Sequence, residues 1–183
     1  MGLIDQICSN RAFRRRLQES RCRLFRVALA WSSEESLAED LTQETLARAL
    51  ERREQLRDLD AMHKWLLTIL GNLWRDHLRR QHPSDDIDEV RHATDVTPEH
   101  RCCSDQAIRR VRQCIARLPA GQRAVITLVE LEEMSYREVS EILDIPIGTV
   151  MSRLNRARQT LKDRLIRERG SEPGQRPSLR RVV

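Results

Sequence analysis

An unbroken apolar stripe over residues 62 to 78 constrains the fold of this chain more than any other feature. Its members recur every three or four positions, as they would on one face of an α-helix: Met62, Trp65, Leu66, Ile69, Leu70, Leu73, Trp74 and Leu78. The reverse side is polar and carries Lys64, Thr68, Asn72, Arg75 and Arg79. Such a helix needs other apolar helices to cover its stripe, so we expect both tryptophans to lie in the core.

The same periodicity predicts helices on both sides of this one. A first helix is predicted over residues 17 to 31, and Ser32 with Glu35 has the spacing of a capping box that starts a second helix near Glu34. Later helices are predicted over residues 108 to 118, after Pro119, after a capping box at Ser135 and Glu138, and over residues 147 to 169. With 3% aromatic and 33% charged residues, the chain is expected to be all-α with thin cores.

The helical periodicity stops between residues 83 and 104, where two prolines and an acidic excess occur. We therefore expect two small helical domains, residues 1–82 and 105–169, joined by a flexible acidic linker, residues 83–104. The last segment, residues 170–183, contains Gly and Pro at positions that suit no helix or strand, and we expect it to be disordered.

Several functional classes lack support in the sequence. No apolar run has the length of a signal peptide or a membrane span, so the chain is expected to be cytoplasmic without membrane insertion. No Gly-rich phosphate loop, HExxH or GxSxG motif occurs, so we expect no catalytic residues, no cofactor and no enzyme activity. The five cysteines include no CxxC pair, which argues against a metal site. A redox or metal sensor at Cys102, Cys103 and neighbouring histidines is one alternative.

A short capped helix, the turn Ile145-Pro146 and a long basic helix have the layout of a helix-turn-helix. On the last helix, Val150, Leu154 and Ala157 are predicted to pack inward. The neighbouring strip at its amino-terminal end is predicted to contact duplex DNA, because an arginine fork can donate two bonds to guanine. This strip consists of Thr149, Ser152, Arg153 and Arg156.

Two blocks of the chain resemble the extracytoplasmic-function (ECF) group of bacterial sigma factors. "RLFRVALAWSSEESLAEDLTQETLARAL" followed by "WLLTILGNLWRDHLRR" is similar to the sigma-2 domain. "LPAGQRAVITLVELEEMSYREVSEILDIPIGTVMSRLNRARQTL" is similar to the sigma-4 domain with its helix-turn-helix. The resemblance implies a subunit that brings core RNA polymerase to promoter DNA, with sigma-4 recognising the −35 element and sigma-2 recognising and opening the −10 element.

The resemblance also implies roles for particular residues. The polar side of the Trp65 helix becomes the −10 surface, with Asn72, Arg75 and Arg79 as its contacts, and the preceding loop, residues 57 to 63, becomes the pocket for a flipped base. The acidic arc of the second helix becomes the contact with the beta-prime clamp helices of core RNA polymerase; its residues are Asp40, Gln43 and Glu44. The beta flap and an anti-sigma factor are further implied partners.

Three positions depart from the pattern of the family. Thr68 stands where many relatives carry an arginine, Met151 where the residue is often basic, and Asn155 where it is often aromatic or histidine. The thioether of Met151 can contact a thymine methyl but cannot bond guanine or phosphate. A second alternative is a stand-alone helix-turn-helix regulator that dimerises through its amino-terminal helices, although the acidic arc of the second helix argues against such a dimer face.

Overall fold

A computed structural model describes residues 3–81 and 106–170, and the side chains of residues 10–81 and 111–166. Throughout these ranges the regular structure is helical, which confirms the all-α prediction. The predicted linker, the predicted tail beyond Gly170, and the pair Cys102 and Cys103 lie outside the described residues. Gly170 itself, predicted to begin the tail, is the last residue of the final helix.

Four helical segments form the first half of the fold: α1 (Leu3–Ser32), α2 (Glu35–Glu51), a 3₁₀ turn (Arg53–Gln55) and α3 (Met62–Gln81). The second half contains α4 (Gln106–Ala116), α5 (Ala120–Ile126), α6 (Tyr136–Leu143) and α7 (Ile147–Gly170). A π-helical turn, Thr127–Leu131, continues α5 directly.

Helix α1 is longer than its sequence pattern predicted. It begins at Leu3 rather than near residue 17, and the charged run that follows Phe13 stays exposed on its outer side. Phe13 and Leu17 are both buried, and the Phe13 ring packs edge-on against Trp65 with centroids 6.5 Å apart. The apolar face therefore extends by one further turn, which the neighbouring arginines obscure in the sequence.

The two predicted capping boxes have different outcomes. The first is wrong: Ser32 is the last residue of α1 and its hydroxyl donates back to the Ala28 carbonyl, while α2 starts after Glu34 without a side-chain cap. The second is confirmed, because the Glu138 amide donates to Ser135 Oγ at 3.3 Å and the Ser135 amide donates to Glu138 Oε2 at 2.9 Å. Ser32 cannot cap α2 because α1 continues through it.

The stripe on α3 is buried as predicted. Trp74 is 3% exposed and packs against Trp31, with ring centroids 6.4 Å apart, whereas Trp65 is half-buried at the edge of the core. The core location of Trp74 is confirmed, and Trp65 packs against the core from its rim.

The two halves pack against each other. Helix α3 contacts α6, and α1 contacts α4, α5 and the π-helical turn. One hydrophobic cluster consequently runs from Leu24, Trp31 and Leu70 in the first half to Leu128 and Ile142 in the second.

Candidate nucleic-acid and polymerase interfaces

The turn between α6 and α7 sets the direction of the last helix. Asp144 ends α6 in the left-handed conformation, with φ of 51°, and the Ile145 amide donates to the Ser140 carbonyl at 3.1 Å. The Ser140 hydroxyl donates to the Ile145 carbonyl at 2.6 Å, which ties both ends of the turn together. The first turn of α7 then forms on the Pro146 carbonyl, which accepts from Val150 and Thr149.

The amino-terminal half of α7 presents four exposed side chains on one face. These residues are Met151, Ser152, Asn155 and Arg156. They occupy positions i, i+1, i+4 and i+5, which are neighbours on a helix surface, and Met151 is 54% exposed. Gly148 adjoins this face, and an added Cβ there would have no atom within 4 Å. We call these four residues the α7 face; it has room for another molecule.

The four side chains predicted to contact the −35 element do not all lie on the α7 face. Ser152 and Arg156 belong to it, whereas Thr149 and Arg153 are half-buried. Arg153 lines a cavity of about 60 Å³ between the two halves, together with Gly71 and Trp74. Helical periodicity alone does not separate Met151 and Asn155 from Thr149 and Arg153, because a strip on either side of the apolar stripe fits the same periodicity.

Arg158, further along α7, is held by an acid of its own domain. Its Nη2 and Nε atoms donate to Glu130 Oε1 at 2.6 and 3.0 Å. This hydrogen bond with the Glu130 carboxylate raises the pKa of Arg158 above its ordinary value. The pair ties α7 to the π-helical turn, so Arg158 has a structural partner in place of a phosphate.

The predicted −10 residues share one stripe of α3, and α6 covers part of that stripe. Asn72 and Arg79 are exposed, whereas the Arg75 side chain is only 18% exposed. Arg75 donates from Nη1 to Asp144 Oδ2 at 2.9 Å and from Nη2 to Asn72 Oδ1 at 2.8 Å. About three turns before Arg75, Lys64 Nζ donates to Glu141 Oε2 at 2.7 Å. Both acids belong to the helix-turn-helix.

A third contact joins the halves at a nearly buried carboxylate. Glu132, 8% exposed, accepts from Arg23 Nε at 2.6 Å and lies 2.7 Å from His63 Nε2. Arg23 comes from α1, and His63 from the first turn of α3. The segment that follows the π-helical turn is thereby anchored at the end of the predicted base-flipping loop.

The acidic arc of α2 faces outward. Asp40, Gln43 and Glu44 are exposed, and Arg48 Nε donates to Glu44 Oε1 at 2.8 Å. On the other side of α2, two buried threonine hydroxyls donate to main-chain carbonyls four residues earlier in the same helix. The three side chains are placed together and are accessible to a partner.

An apolar groove of about 550 Å³ opens between α4, the π-helical turn and the later part of α7. Leu131 and Ile166 in its wall are each more than half exposed. Exposed apolar side chains around a groove are typical of a surface that takes up part of another protein.

The described residues give no support to a metal site or a membrane-spanning helix. Within these ranges no three His, Cys, Asp or Glu side chains are grouped closely enough to hold a metal ion. Nor is any described helix both long and apolar enough to cross a bilayer.

Comparison with known proteins identifies relatives for both halves of the chain. The profile of sigma-70 region 2 matches residues 17–83, and that of sigma-70 region 4 matches residues 108–161. The chain is 36% identical over 138 residues to the ECF RNA polymerase sigma-E factor of Haemophilus influenzae, covering 69% of this chain and 73% of the relative. It is 31% identical over 157 residues to the ECF RNA polymerase sigma factor EcfG of Rhodopseudomonas palustris, covering 85% and 86%.

A solved structure aligns with both halves of the fold at once. The sigma factor RpoE of Bartonella quintana, crystallised in complex with the anti-sigma factor NepR, superimposes with a TM-score of 0.69 at 27% identity. The alignment covers 85% of this chain and 97% of RpoE.

Proposed function

This chain belongs to the ECF group of RNA polymerase sigma factors, and from that premise we propose which of its surfaces recognise promoter DNA and which bind the polymerase. As a sigma factor it directs promoter-specific transcription initiation and is not itself an enzyme. The observation that carries the assignment is the presence, in one chain, of an exposed helix-turn-helix face and a separate basic stripe on α3.

The α7 face recognises the −35 element as duplex DNA. Arg156 donates to guanine, Ser152 and Asn155 bond base edges or phosphate, and Met151 contacts an apolar group in the major groove. This assignment keeps Ser152 and Arg156 from the sequence-based set and adds two neighbours that share their exposure. Thr149 and Arg153 instead support the position of α7, since both are half-buried.

The polar stripe of α3 recognises the −10 element once the strands separate. Asn72 bonds a base, and Arg75 and Arg79 bind the phosphates on either side. Arg75 reaches a phosphate only after it leaves Asp144.

Protein partners have their own surfaces. The arc of Asp40, Gln43 and Glu44 binds the beta-prime clamp helices of core polymerase, because an acidic face on a basic protein is repelled by DNA and suits a basic protein surface. The apolar groove beside α7 receives the beta flap. By analogy with the complex of RpoE and NepR, an anti-sigma factor holds the chain inactive, and the chain works in the cytoplasm, where the polymerase is.

In vitro transcription with purified core polymerase tests this proposal. We expect initiation at a cognate promoter only when the full-length chain is added. The double variant Asp40→Lys/Glu44→Lys should abolish initiation and core binding, while Glu54→Lys, which reverses an exposed charge in the 3₁₀ turn, should leave both intact. Specific duplex binding by a free dimer, without any effect on core polymerase, would instead establish a stand-alone regulator.

A further inference from the structure

Helix α1 carries an arginine-rich surface that has no part in the contacts proposed above. Between residues 10 and 32 its charged side chains are seven arginines and one glutamate, and all eight are exposed. Helix α2, which packs against α1, has the opposite composition, with five acids and one arginine. Within residues 10–81, however, no ion pair joins the two helices. The arginines of α1 therefore do not hold α2 in place.

Most of the arginines of α1 that lack an acidic partner lie along one line. Arg15, Arg16 and Arg23 each form an ion pair, whereas the other four form none among the described residues. Three of those four, with a glutamine among them, make up an exposed row that we call the α1 stripe: Arg11, Arg14, Gln18 and Arg21. Their spacing of three, four and three residues places them on one face of the helix, over about 15 Å.

The α1 stripe belongs to the same packed unit as the proposed −10 surface. Phe13, between the first two arginines, packs edge-on against Trp65 of α3 with ring centroids 6.5 Å apart, and Leu17 is part of the shared core. Arg16 Nη2 donates to Asp60 Oδ1 at 3.4 Å, in the loop that precedes α3. Duplex DNA bends little over a few base pairs, so the double-stranded DNA next to a strand held on α3 stays beside this unit.

The chemistry of the α1 stripe suits phosphate better than bases. Arginine forks donate paired hydrogen bonds to phosphate oxygens and remain charged throughout the physiological pH range. Binding of unpaired bases would need an exposed aromatic ring for stacking, but Phe13 is buried and Phe25 is half-buried. The contacts of the stripe are therefore expected to be with the DNA backbone and independent of sequence.

The centre of the polar stripe of α3 supplies no cation for such contacts. Thr68 is neutral and half-buried, and its hydroxyl donates to the Lys64 carbonyl at 3.0 Å. Asn72, one turn later, is neutral as well. Arg11 and Arg14 precede residue 17, where the match to sigma-70 region 2 begins, so this source of positive charge lies outside the part of the chain matched by the family profile.

We propose that the α1 stripe binds the phosphate backbone of the duplex DNA beside the −10 element, as a third and sequence-independent promoter contact. The inference rests on the proposed function, because it requires α3 to hold the −10 strand. Arg11, Arg14 and Arg21 each neutralise one phosphate, and Gln18 donates a neutral hydrogen bond between them. Neutralised phosphates release condensed counterions, so the contact strengthens promoter binding most at low salt.

Promoter binding by core polymerase with the full-length chain, measured over a range of salt concentrations, tests this contact. The probe is a fluorescent promoter fragment with duplex on both sides of the −10 element, followed by anisotropy. Arg14→Gln/Arg21→Gln should weaken binding and make the slope of log K against log salt concentration shallower by about 1 to 2, since each phosphate contact contributes about 0.9. The change should be the same whatever the sequence of the flanking duplex.

The matched control is Arg112→Gln/Arg117→Gln, which removes two exposed arginines from the other half of the chain. An equal change of slope in this control would mean that net charge alone is responsible and would overturn the proposal. An unchanged slope in the stripe variant would overturn it as well. Circular dichroism checks that both variants fold, as expected for exposed arginines that form no ion pair among the described residues.

Shorter fragments locate the duplex that the α1 stripe contacts. Removal of the duplex on one side of the −10 element should abolish the difference between the stripe variant and the unaltered chain; a difference that survives removal on either side would contradict the proposal. Weaker binding of the stripe variant to core polymerase without DNA, at an unchanged salt slope, would identify an acidic protein surface as the partner instead. No initiation by the unaltered chain rejects the proposed function, whereas normal initiation by a variant with an unchanged slope rejects this contact alone.

Discussion

Met151 is the residue on the α7 face whose chemistry differs most from a basic DNA contact. Its thioether is exposed beside Ser152 and Asn155, and the equally apolar Ile147 lies one turn earlier with 45% of its surface accessible. A methyl group is the apolar feature that the major groove offers, and only thymine carries one. The −35 element of this sigma factor should therefore hold a thymine opposite Met151.

Replacement of that thymine by deoxyuridine removes only the methyl group. We expect the binding of core polymerase with this chain to the −35 duplex to weaken by about 0.8 kcal/mol, the value of one buried methylene, or roughly fourfold. Met151→Ala should cause a loss of similar size. The two changes together should cost no more than either alone, as measured by a double-mutant cycle in fluorescence anisotropy. Independent, additive losses would place Met151 away from the methyl group.

Arg156 differs from the later basic residues of α7 in the kind of contact that it can make. Arg156→Ala should cost about 1 to 3 kcal/mol at one base position and relax specificity there, as expected for a lost pair of bonds to guanine. Lys162→Ala, a change at an exposed cation nearly two turns later, should weaken all sequences alike and flatten the salt dependence. Competition assays with single-base substitutions of the −35 duplex compare the two. Equal sequence-independent effects would exclude Arg156 from base recognition.

Among the elements, α6 is the one whose start is determined by its own side chains. The Ser135 hydroxyl, followed by the Ser135 amide, holds the pKa of Glu138 below its ordinary value of 4.5 by bonding the carboxylate. Because α6 both begins the helix-turn-helix and contacts α3, its stability affects both nucleic-acid surfaces.

Ser135→Ala should lower the free energy of unfolding by about 1 kcal/mol at neutral pH, the usual cost of a lost N-cap. Since the folded-state pKa of Glu138 is depressed, its contribution is complete above the unfolded value and disappears as pH falls through the folded value. The difference between variant and unaltered chain should therefore shrink in acid, as followed by urea denaturation. Ser36→Ala is the control, because Ser36 lies in the first turn of α2 and bonds only the Glu34 side chain. A loss that does not depend on pH would contradict the reciprocal cap.

Across the whole molecule, one buried arginine joins the two halves. Arg123 of α5 donates to Ser33 Oγ, at the junction of α1 and α2, at 3.0 Å and to the Ala116 carbonyl at 2.6 Å. Burial lowers the pKa of Arg123 to about 10, which reflects the cost of removing its charge from water. Loss of either hydrogen bond should lower the free energy of unfolding of both halves.

Ser33→Ala should lower the free energy of unfolding of the full chain by about 1.5 to 3 kcal/mol, because a charged group loses a hydrogen bond in the interior. Ser20→Ala removes a hydroxyl that bonds only within α1 and should change stability far less. Chemical denaturation of the two variants measures the difference. If the two variants lose the same free energy of unfolding, the halves are not joined through Arg123 in solution.

The sequence by itself determines most of the helices of this protein and the polarity of their faces. The stripe on α3, the cap at Ser135, the turn at Ile145-Pro146 and the inward side of α7 are local patterns, because helical periodicity and capping depend on residues within four or five positions of one another. The same local patterns placed the acidic arc of α2 and the polar stripe of α3. They also carried the resemblance to the sigma factors.

Only the tertiary structure decided which of these surfaces are free. It leaves Met151 and Asn155 exposed beside Ser152 and Arg156 and makes Thr149 and Arg153 half-buried, because the helices packed against α7 determine which of its side chains are covered. It also joined Arg75 to Asp144 across 69 residues, and Arg23 to Glu132 across 109. Such pairings depend on how two separately amphipathic halves pack together, and the periodicity of one helix contains no information about the surface of another.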